Sequence, residues 1–501
     1  MIDYTWFDEM EKRIPKGEVR TRFAPSPTGY MHIGNLRTAL YTWLIAKHLG
    51  GKFILRIEDT DQERFVEGAT EIIYNTLRTC NLDWQEGPDV GGPVGPYIQS
   101  ERRFTYGKYA DLLIEKGGAY RCFCKEDEGV VPVTLPNGDV IKKHQCSCCQ
   151  LSKEEVEARM AAGEPSVVRQ KIPQEGTTTF SDVIFGDITV PNVELDENVL
   201  MKTDGLPTYN FANVIDDHLM GISHVVRGNE YLSSAPKYNL LYQAFGWEVP
   251  AYVHCSPVMR DATHKMSKRH GDPSFEDLLK EGYLPEAILN YVALLGWSPS
   301  GDQSEQEIFS LQELAEAFDI HNISKSPAVF DINKLKWMNG QYIKAMTPEA
   351  FAAVAEPYIR ETVKNPEIDA AKIAALLQQR TEVLTEIPEK VDFFDALPEY
   401  DTALYVHKKS KVNEEICLDM LGKIIPALEA IDNWCDETIH DVLMGLVEEL
   451  GVKTAVVMWP ARIAAAGKAV TPGGSVEICS ILGKAETLRR MAIAVEKLSN
   501  R

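Results

Sequence analysis

The stretch "EVRTRFAPSPTGYMHIGNLRTALYTWLIAKHLGGKFILRIED", residues 18–59, constrains this chain more than any other. "EVRTRF" reads as a strand, and "APSPTG" ends it, because two prolines and a glycine admit neither helix nor ladder. From Gly34 onward Leu36, Ala39, Leu40, Trp43 and Leu44 recur at helical spacing until Gly50 and Gly51 stop the run. "KFILRIED" (52–59) is then a second strand, nearly continuously apolar at first. Strand, helix, strand is a βαβ unit, the start of a parallel sheet with a right-handed crossover.

The alternation breaks near residues 108–203, which hold a cysteine cluster, a "LPNGDV" turn and β-rich pieces such as "TTTFSDVIFGDITV". It then resumes. "LPTYNFANVIDDHLMG" and "APKYNLLYQAFG" are predicted helices, and "SHVVRG" and "AYVHCSP" predicted strands. The middle block therefore reads as an α+β insertion that splits one doubly wound α/β domain. Beyond residue 272 the chain turns helical, and 346–501 offers almost no strand candidates.

A chain of 501 residues is too long for one core and implies several domains. Its 44% hydrophobic and 25% charged residues are those of an ordinary globular protein. No apolar run reaches the ~18–20 residues of a membrane span. Residues 1–17 contain acidic side chains and no apolar h-region, so they read as an extension before the first strand, and a cytoplasmic location is expected. The net charge of −22 argues against a protein wrapped in nucleic acid, yet leaves room for a local basic track such as Lys408, Lys409 and Lys411.

Five of the ten cysteines, Cys122, Cys124, Cys146, Cys148 and Cys149, fall within 28 positions. Without a secretion signal, that clustering suggests metal ligands more than disulfides. Cys122-x-Cys124 and Cys146-x-Cys148 give two ligand pairs separated by a loop, the arrangement of a structural tetrahedral zinc site, with Cys149 and His144 also in reach.

The first βα turn of a doubly wound sheet is where nucleotides dock, because helix N-terminal amides face the ligand. Gly34 lets a nucleotide approach the backbone, and His32 and Asn35 supply hydrogen bonds to phosphate; the plainer reading is a capped helix start. Far along the chain, "HKMSKRHGD" (264–272) places Lys265 and Lys268 three apart after a strand. Lysines there suit the negative charge that develops as pyrophosphate leaves. Arg22 beside the first turn suits bidentate carboxylate recognition, and Ser26 and Glu58 suit an ammonium. The structural alternative is that Arg22 and Glu58 pair with each other.

The two distant motifs, in this order, resemble the HIGH and KMSKS signatures of class I aminoacyl-tRNA synthetases. "RFAPSPTGYMHIGNLRTAL", "LRIEDTDQER", "EGPDVGGPVGPYIQSER", "DGLPTYNFANVIDDHLMGISHVVRGNEYLSS", "KMSKRHGD" and "FDINKLKWMNGQYI" narrow the likeness to the bacterial glutamyl type. Asn35 stands where the general motif ends in histidine, a variant common in that family, and Asn229 is a local departure.

The resemblance implies a split Rossmann-type catalytic domain (18–107 and 204–258), an inserted acceptor-binding domain (108–203), a KMSKR and stem-contact region (259–345) and a helical anticodon-binding domain (346–501). It implies a monomer that joins L-glutamate to tRNA(Glu) through a glutamyl-adenylate, using ATP and Mg²⁺, with Zn²⁺ in the insertion. His32, Gly34, Asn35, Lys265 and Lys268 would serve ATP and the transition state. Arg22, Ser26, Glu58, Tyr209, Asn213 and Arg227 would hold glutamate, and Cys122, Cys124, Cys146 and Cys148 the zinc. Arg380, in "LLQQRTEVLTEIPEK", matches the position that reads the first anticodon base, where arginine goes with rejection of tRNA(Gln); its structural alternative is a pair with Glu382 or Glu386. The competing functions are a glutaminyl enzyme, one that charges both tRNAs, and a non-catalytic tRNA-binding relative.

Overall fold

The computed structural model describes residues 2–60, 66–125, 128–135, 138, 140–266 and 271–500. Two compact units divide it: Met1–Leu278 with Ile288–Asp331, and Leu279–Ala287 with Ile332–Arg501.

The first unit begins with α1 (Tyr4–Arg13), within the extension. Phe7 is buried and meets Tyr109 edge-on with ring centroids 4.9 Å apart, which anchors the helix to this unit's core. The βαβ unit follows as expected: β1 (Arg20–Phe23), α2 (Ile33–His48) and β2 (Lys52–Leu55), with β1 and β2 parallel and Arg22 level with Ile54. After α3 (Ala69–Thr79) and α4 (Arg103–Glu115) come seven strands: β3 (Ala119–Cys122), β4 (Val130–Thr134), β5 (Val140–His144), β6 (Val167–Gln170), β7 (Thr177–Asp182), β8 (Gly186–Pro191) and β9 (Val199–Met201). The helix α5 (Lys153–Ala161) lies between β5 and β6 and opens with a capping box, Ser152 with Glu155.

The helix α6 (Tyr209–Leu219), β10 (His224–Gly228), α7 (Ala235–Phe245) and β11 (Ala251–Cys255) restore the alternation. One six-stranded sheet results, in the order β2-β1-β10-β11-β7-β8. Every pairing in it is parallel except the edge hairpin β7–β8. This edge comes from the segment read in the sequence as inserted. Thr178, Phe180 and Asp182 alternate inward along β7, so it presents one buried face to the sheet. The rest of the segment forms a three-stranded sheet, β3-β6-β9, and the β4–β5 hairpin, whose turn residues 136, 137 and 139 lie outside the described residues.

Strand order reverses at β1, which has β2 on one side and β10 on the other, so the crevice beyond their carboxyl ends is the natural ligand site.

The second unit is helical, with no strand among its described residues. Its core gathers Phe351, Ile373, Leu377, Leu421, Ile424, Leu443, Ile463 and Met491, all fully buried. Among the described residues no helix is long and apolar enough to cross a membrane.

Candidate active site and cysteine cluster

A cavity of about 1090 Å³ opens at the reversal of strand order. Arg22 and Phe23 reach it from the end of β1, Glu58 from just beyond β2, and Arg227 and Gly228 from the end of β10. The cavity also takes in Ser26, His32, Gly34, Asn35, Tyr209 and Lys265. Residues more than 200 positions apart thus line one space.

His32 is the N-cap of α2, its Nδ1 accepting from the Asn35 amide at 3.3 Å. The plain reading of this histidine as a helix cap is therefore realised, and the ring still borders the cavity. A Cβ at Gly34 would stand 3.1 Å from His32 Cε1, so glycine leaves the imidazole room to lie over the first turn. Asn35 is exposed, one position further along. Arg37 donates to the carbonyls of Leu295 and Ser256, which ties α2 to the segment that leads into the lysine loop. That loop opens as a hairpin: the Arg260 amide donates to the His264 carbonyl at 2.8 Å, and the Met266 amide to Val258 at 3.1 Å. Lys265 is exposed on it, whereas Lys268 lies outside the described residues.

At the opposite end the charges are buried. Arg22 gives Nε and Nη2 to the two oxygens of Asp217, at 2.9 and 3.0 Å, and Nη1 to the Val226 carbonyl at 3.3 Å. One edge of its guanidinium is thus held by protein, and each terminal nitrogen keeps an N–H for a ligand. Glu58 does not pair with Arg22; its partner is the fully buried Arg56, whose Nη2 donates to it at 2.9 Å. Arg56 Nη1 donates to Asp217 at 2.8 Å. Burial pushes Asp217 up, but Arg22 and Arg56 outweigh it and hold its carboxyl at about 2. Burial pushes Glu58 up, against the pull of Arg56 and Arg22.

Arg227 is different. It lies among the rings of Tyr231, Tyr238 and Tyr252 at 5.3, 4.8 and 5.7 Å, and its buried Nε and Nη1 have no hydrogen-bond partner among the described residues. Among the buried groups three guanidiniums, Arg22, Arg56 and Arg227, face two carboxylates, Asp217 and Glu58, so the buried wall of the cavity carries surplus positive charge, with Glu230 exposed at its border. A buried unpaired charge is costly unless a counterion arrives, so the arrangement suits an anion. Tyr209 borders the cavity as a neutral phenol, its ionisation opposed by burial. Asn213 does not border it: it is buried one turn into α6 and donates to the Tyr209 carbonyl at 2.7 Å.

Sequence reasoning missed Asp217, Arg56 and the cavity-lining Glu230. A signal for the first was present, because two acids in an otherwise apolar helix, "FANVIDD", require buried partners.

In the β3–β6–β9 region, Cys122, Cys124, His144 and Cys146 bring their ligand atoms within 4.8 Å of one another. Cys122 Sγ lies 3.4 Å from His144 Nε2 and 3.8 Å from Cys146 Sγ. Cys148, expected as the fourth ligand, stands 3.8 Å from Cys124 Sγ but outside that closest group. Cys149 instead donates to the Cys146 carbonyl. Sulfurs sharing a tetrahedral metal at ~2.3 Å sit about 3.8 Å apart, so this donor set fits Zn²⁺.

In the second unit Arg380 is exposed and donates to the Thr471 carbonyl at 3.3 Å. Glu386 pairs with Lys336 and Lys390 instead, and Glu382 lies beside Lys336. Arg462 lies over the Trp459 ring at 4.7 Å; burial lowers its pKa, and the like charge of Arg380 lowers it further.

Residues 18–337 match the family of tRNA synthetases class I (E and Q), catalytic domain, and residues 350–495 an anticodon binding domain. A glutamate–tRNA ligase of Clostridium botulinum is 59% identical over 484 residues, 96% of this chain and 99% of that protein. One from Clostridium tetani is 59% identical over 486 residues, 96% of this chain and 98% of its own length. The crystal structure of a glutamate tRNA ligase from Elizabethkingia meningosepticum in complex with its amino acid superposes with a TM-score of 0.87 at 36% identity, covering 96% of this chain and all of that one. With the first motif and Lys265 and Met266 of the second at one cavity, and the likeness running nearly end to end, the chain belongs to the glutamate–tRNA ligases, within the class I tRNA synthetases.

Proposed function

We propose that the protein joins L-glutamate to tRNA(Glu) at the expense of ATP, and that the unpartnered guanidinium of Arg227 is what selects an anionic amino acid. Glutamate brings two carboxylates and one ammonium, a net charge of −1, to the end of the cavity with surplus positive charge. Arg227 takes one carboxylate and the free N–H groups of Arg22 the other, while Glu58 and Ser26 receive the ammonium. Asn213 supports this end from behind, through Tyr209. Glutamine brings no second carboxylate and would leave Arg227 buried without a counterion.

In the first step an oxygen of the α-carboxylate attacks the α-phosphorus of ATP, the bond to the bridging oxygen breaks, and pyrophosphate leaves. His32, Gly34 and Asn35 meet the phosphates at the start of α2, where amide groups and the helix dipole favour negative charge. Lys265 and Lys268 take up the charge developing on pyrophosphate, and Glu230 suits the ribose hydroxyls. Mg²⁺ accompanying ATP would supply further neutralisation of the phosphate charge beside Lys265 and Lys268. In the second step a hydroxyl of the tRNA's terminal ribose attacks the adenylate carbonyl, and AMP leaves. No covalent enzyme intermediate forms, so the chain's contribution is positioning and charge stabilisation.

The cysteine cluster would hold a structural Zn²⁺ through Cys122, Cys124 and Cys146, with His144 and Cys148 both in reach of the fourth position. Elemental analysis of protein purified without chelator should find one zinc per chain; none would remove this site. Arg380, with no carboxylate partner among the described residues and with the charge of Arg462 near it, suits an unstacked anticodon base. The segments 108–203 and 346–501 are proposed to bind the acceptor end and the anticodon respectively.

ATP–pyrophosphate exchange tests the central reading, run with and without tRNA(Glu) and with glutamate or glutamine. Exchange should require glutamate and rise with tRNA. Equal exchange with glutamine would overturn the role given to Arg227, and no exchange with either would remove the enzymatic reading.

A further inference from the structure

Helix α6 carries two neighbouring acids, Asp216 and Asp217, 0% and 1% exposed. Successive helix positions point about 100° apart, so the two carboxylates enter different networks. Asp216 accepts from Arg102 Nε at 2.6 Å, Gln99 Nε2 at 3.0 Å and the Tyr106 hydroxyl at 2.8 Å. None of those three borders the cavity. Asp217 accepts from both Arg22 and Arg56, and Arg56 in turn holds Glu58. Arg22 and Glu58 both border the cavity.

We infer that Asp217 is a positioning residue for amino-acid selection: it aims Arg22 directly and Glu58 through Arg56, and touches no substrate itself. The inference rests on the glutamate reading above. Its physical basis is the fixed geometry of the guanidinium fork. With one edge of Arg22 clamped by both oxygens of Asp217, the remaining N–H groups point in one direction. Arg56 spans two carboxylates, so losing Asp217 frees it to swing wholly onto Glu58 and neutralise the group meant for the ammonium. Asp216, equally buried in the same helix turn, provides the internal control.

Charge and aim predict opposite outcomes, which makes the test decisive. Asp217→Asn removes one negative charge beside an anionic ligand. If Asp217 were only a counter-charge, glutamate would bind more tightly in the variant. If it aims Arg22 and Glu58, the KM for glutamate should rise about 10–100-fold, with the KM for ATP unchanged. Asp216→Asn should lower the melting temperature and leave the KM for glutamate within about twofold of wild type, since Asp216 holds neither Arg22 nor Arg56 and meets the cavity only through Gln99 and Thr60.

The measurement is tRNA-dependent ATP–pyrophosphate exchange across a glutamate titration, alongside the thermal midpoint of each variant. A KM that falls or stays constant in folded Asp217→Asn overturns the inference, as does an equal KM rise in Asp216→Asn. Should Asp217→Asn fail to fold, Arg56→Lys takes its place: one ammonium cannot reproduce the fork that spans Asp217 and Glu58, so KM should rise about fivefold. An unchanged KM there also overturns it. Absence of glutamate-dependent exchange in the wild type would instead mean that the glutamate reading itself had failed.

Discussion

The two units of this protein solve the problem of burial in opposite ways. In the first, buried guanidiniums and carboxylates form networks: Arg20 with Glu86, Arg102 with Asp216, and Arg22, Arg56 and Glu58 around Asp217. In the second, Arg490 is the sole buried Asp, Glu, Lys or Arg among the described residues, and the core is otherwise aliphatic and aromatic. Buried ion pairs are poor stabilisers, because desolvation offsets their attraction. Of the three, the network around Asp217 borders the cavity, through Arg22 and Glu58, and it is there that the chain must present fixed charge to a ligand. Apart from Arg490, the helical unit keeps its described arginines and lysines out of the core, as exposed Arg380 shows.

The sharpest way to break this contrast is Arg227→Met. It removes a buried guanidinium with no hydrogen-bond partner for Nε or Nη1. The kcat/KM for glutamate should fall by about 10³-fold, or roughly 4 kcal/mol, while thermal stability holds or rises. Exchange kinetics and a melting curve on the same preparation check both halves.

The helical unit should respond in the reverse sense. Leu421→Ala empties a fully buried position in its core and should cost about 2–5 kcal/mol of stability. In the folded variant the KM for glutamate should not change. Urea denaturation and an exchange titration measure the two effects, and a large change in KM would erase the distinction between the units.

Acid sharpens the comparison. Asp217 sits at about 2 in the folded state, below the ~3.9 of an unfolded aspartate. Its contribution is therefore present above pH ~4 and lost as pH falls through about 2, a difference of about 3 kcal/mol. Glu58, raised by burial, works in the other direction. Thermal midpoints from about pH 6 down to 2 should drop more steeply for wild type than for Asp217→Asn, which has no proton to take up there. Parallel curves would mean that Asp217 is not held ionised by its arginines.

The smallest expected effect is at Arg380. Arg380→Gln should narrow the gap in kcat/KM between tRNA(Glu) and tRNA(Gln) by several-fold, about 1 kcal/mol, and leave ATP kinetics unchanged. Aminoacylation of both transcripts measures it. Equal charging by the unaltered protein would remove Arg380 as a discriminator.

Much of the cavity was legible in advance because each residue was tied to a local signal. His32, Gly34 and Asn35 sit at a helix start, Arg22 and Arg227 at strand ends, and Tyr209 at the first position of a helix. Asn213, named through the resemblance, is one turn from Tyr209 on α6, and packing buries it against the Tyr209 carbonyl rather than at the cavity wall. At the cysteine cluster the Cys-x-Cys spacing constrains distance within each pair, and the hairpin decides that His144 arrives beside Cys122 while Cys148 stands beside Cys124.

From its sequence alone the chain was committed to a βαβ start, a helical second half, and two motifs whose chemistry makes sense only together. Periodicity and turn residues carry that information because they act over a few positions. The partners of the buried charges were decided by the tertiary structure. Arg22 and Glu58 could have paired across neighbouring strands, yet α6 inserts Asp217 and leaves Arg56 to hold Glu58. Edge strands β7 and β8 likewise joined the main sheet from a segment that reads as separate. Pairings of this kind depend on which carboxylate or strand edge arrives from far along the chain, 195 residues for Arg22 and Asp217. Local composition carries no record of that distance, and the cost of an unpaired buried charge enforces the choice only after the chain has folded.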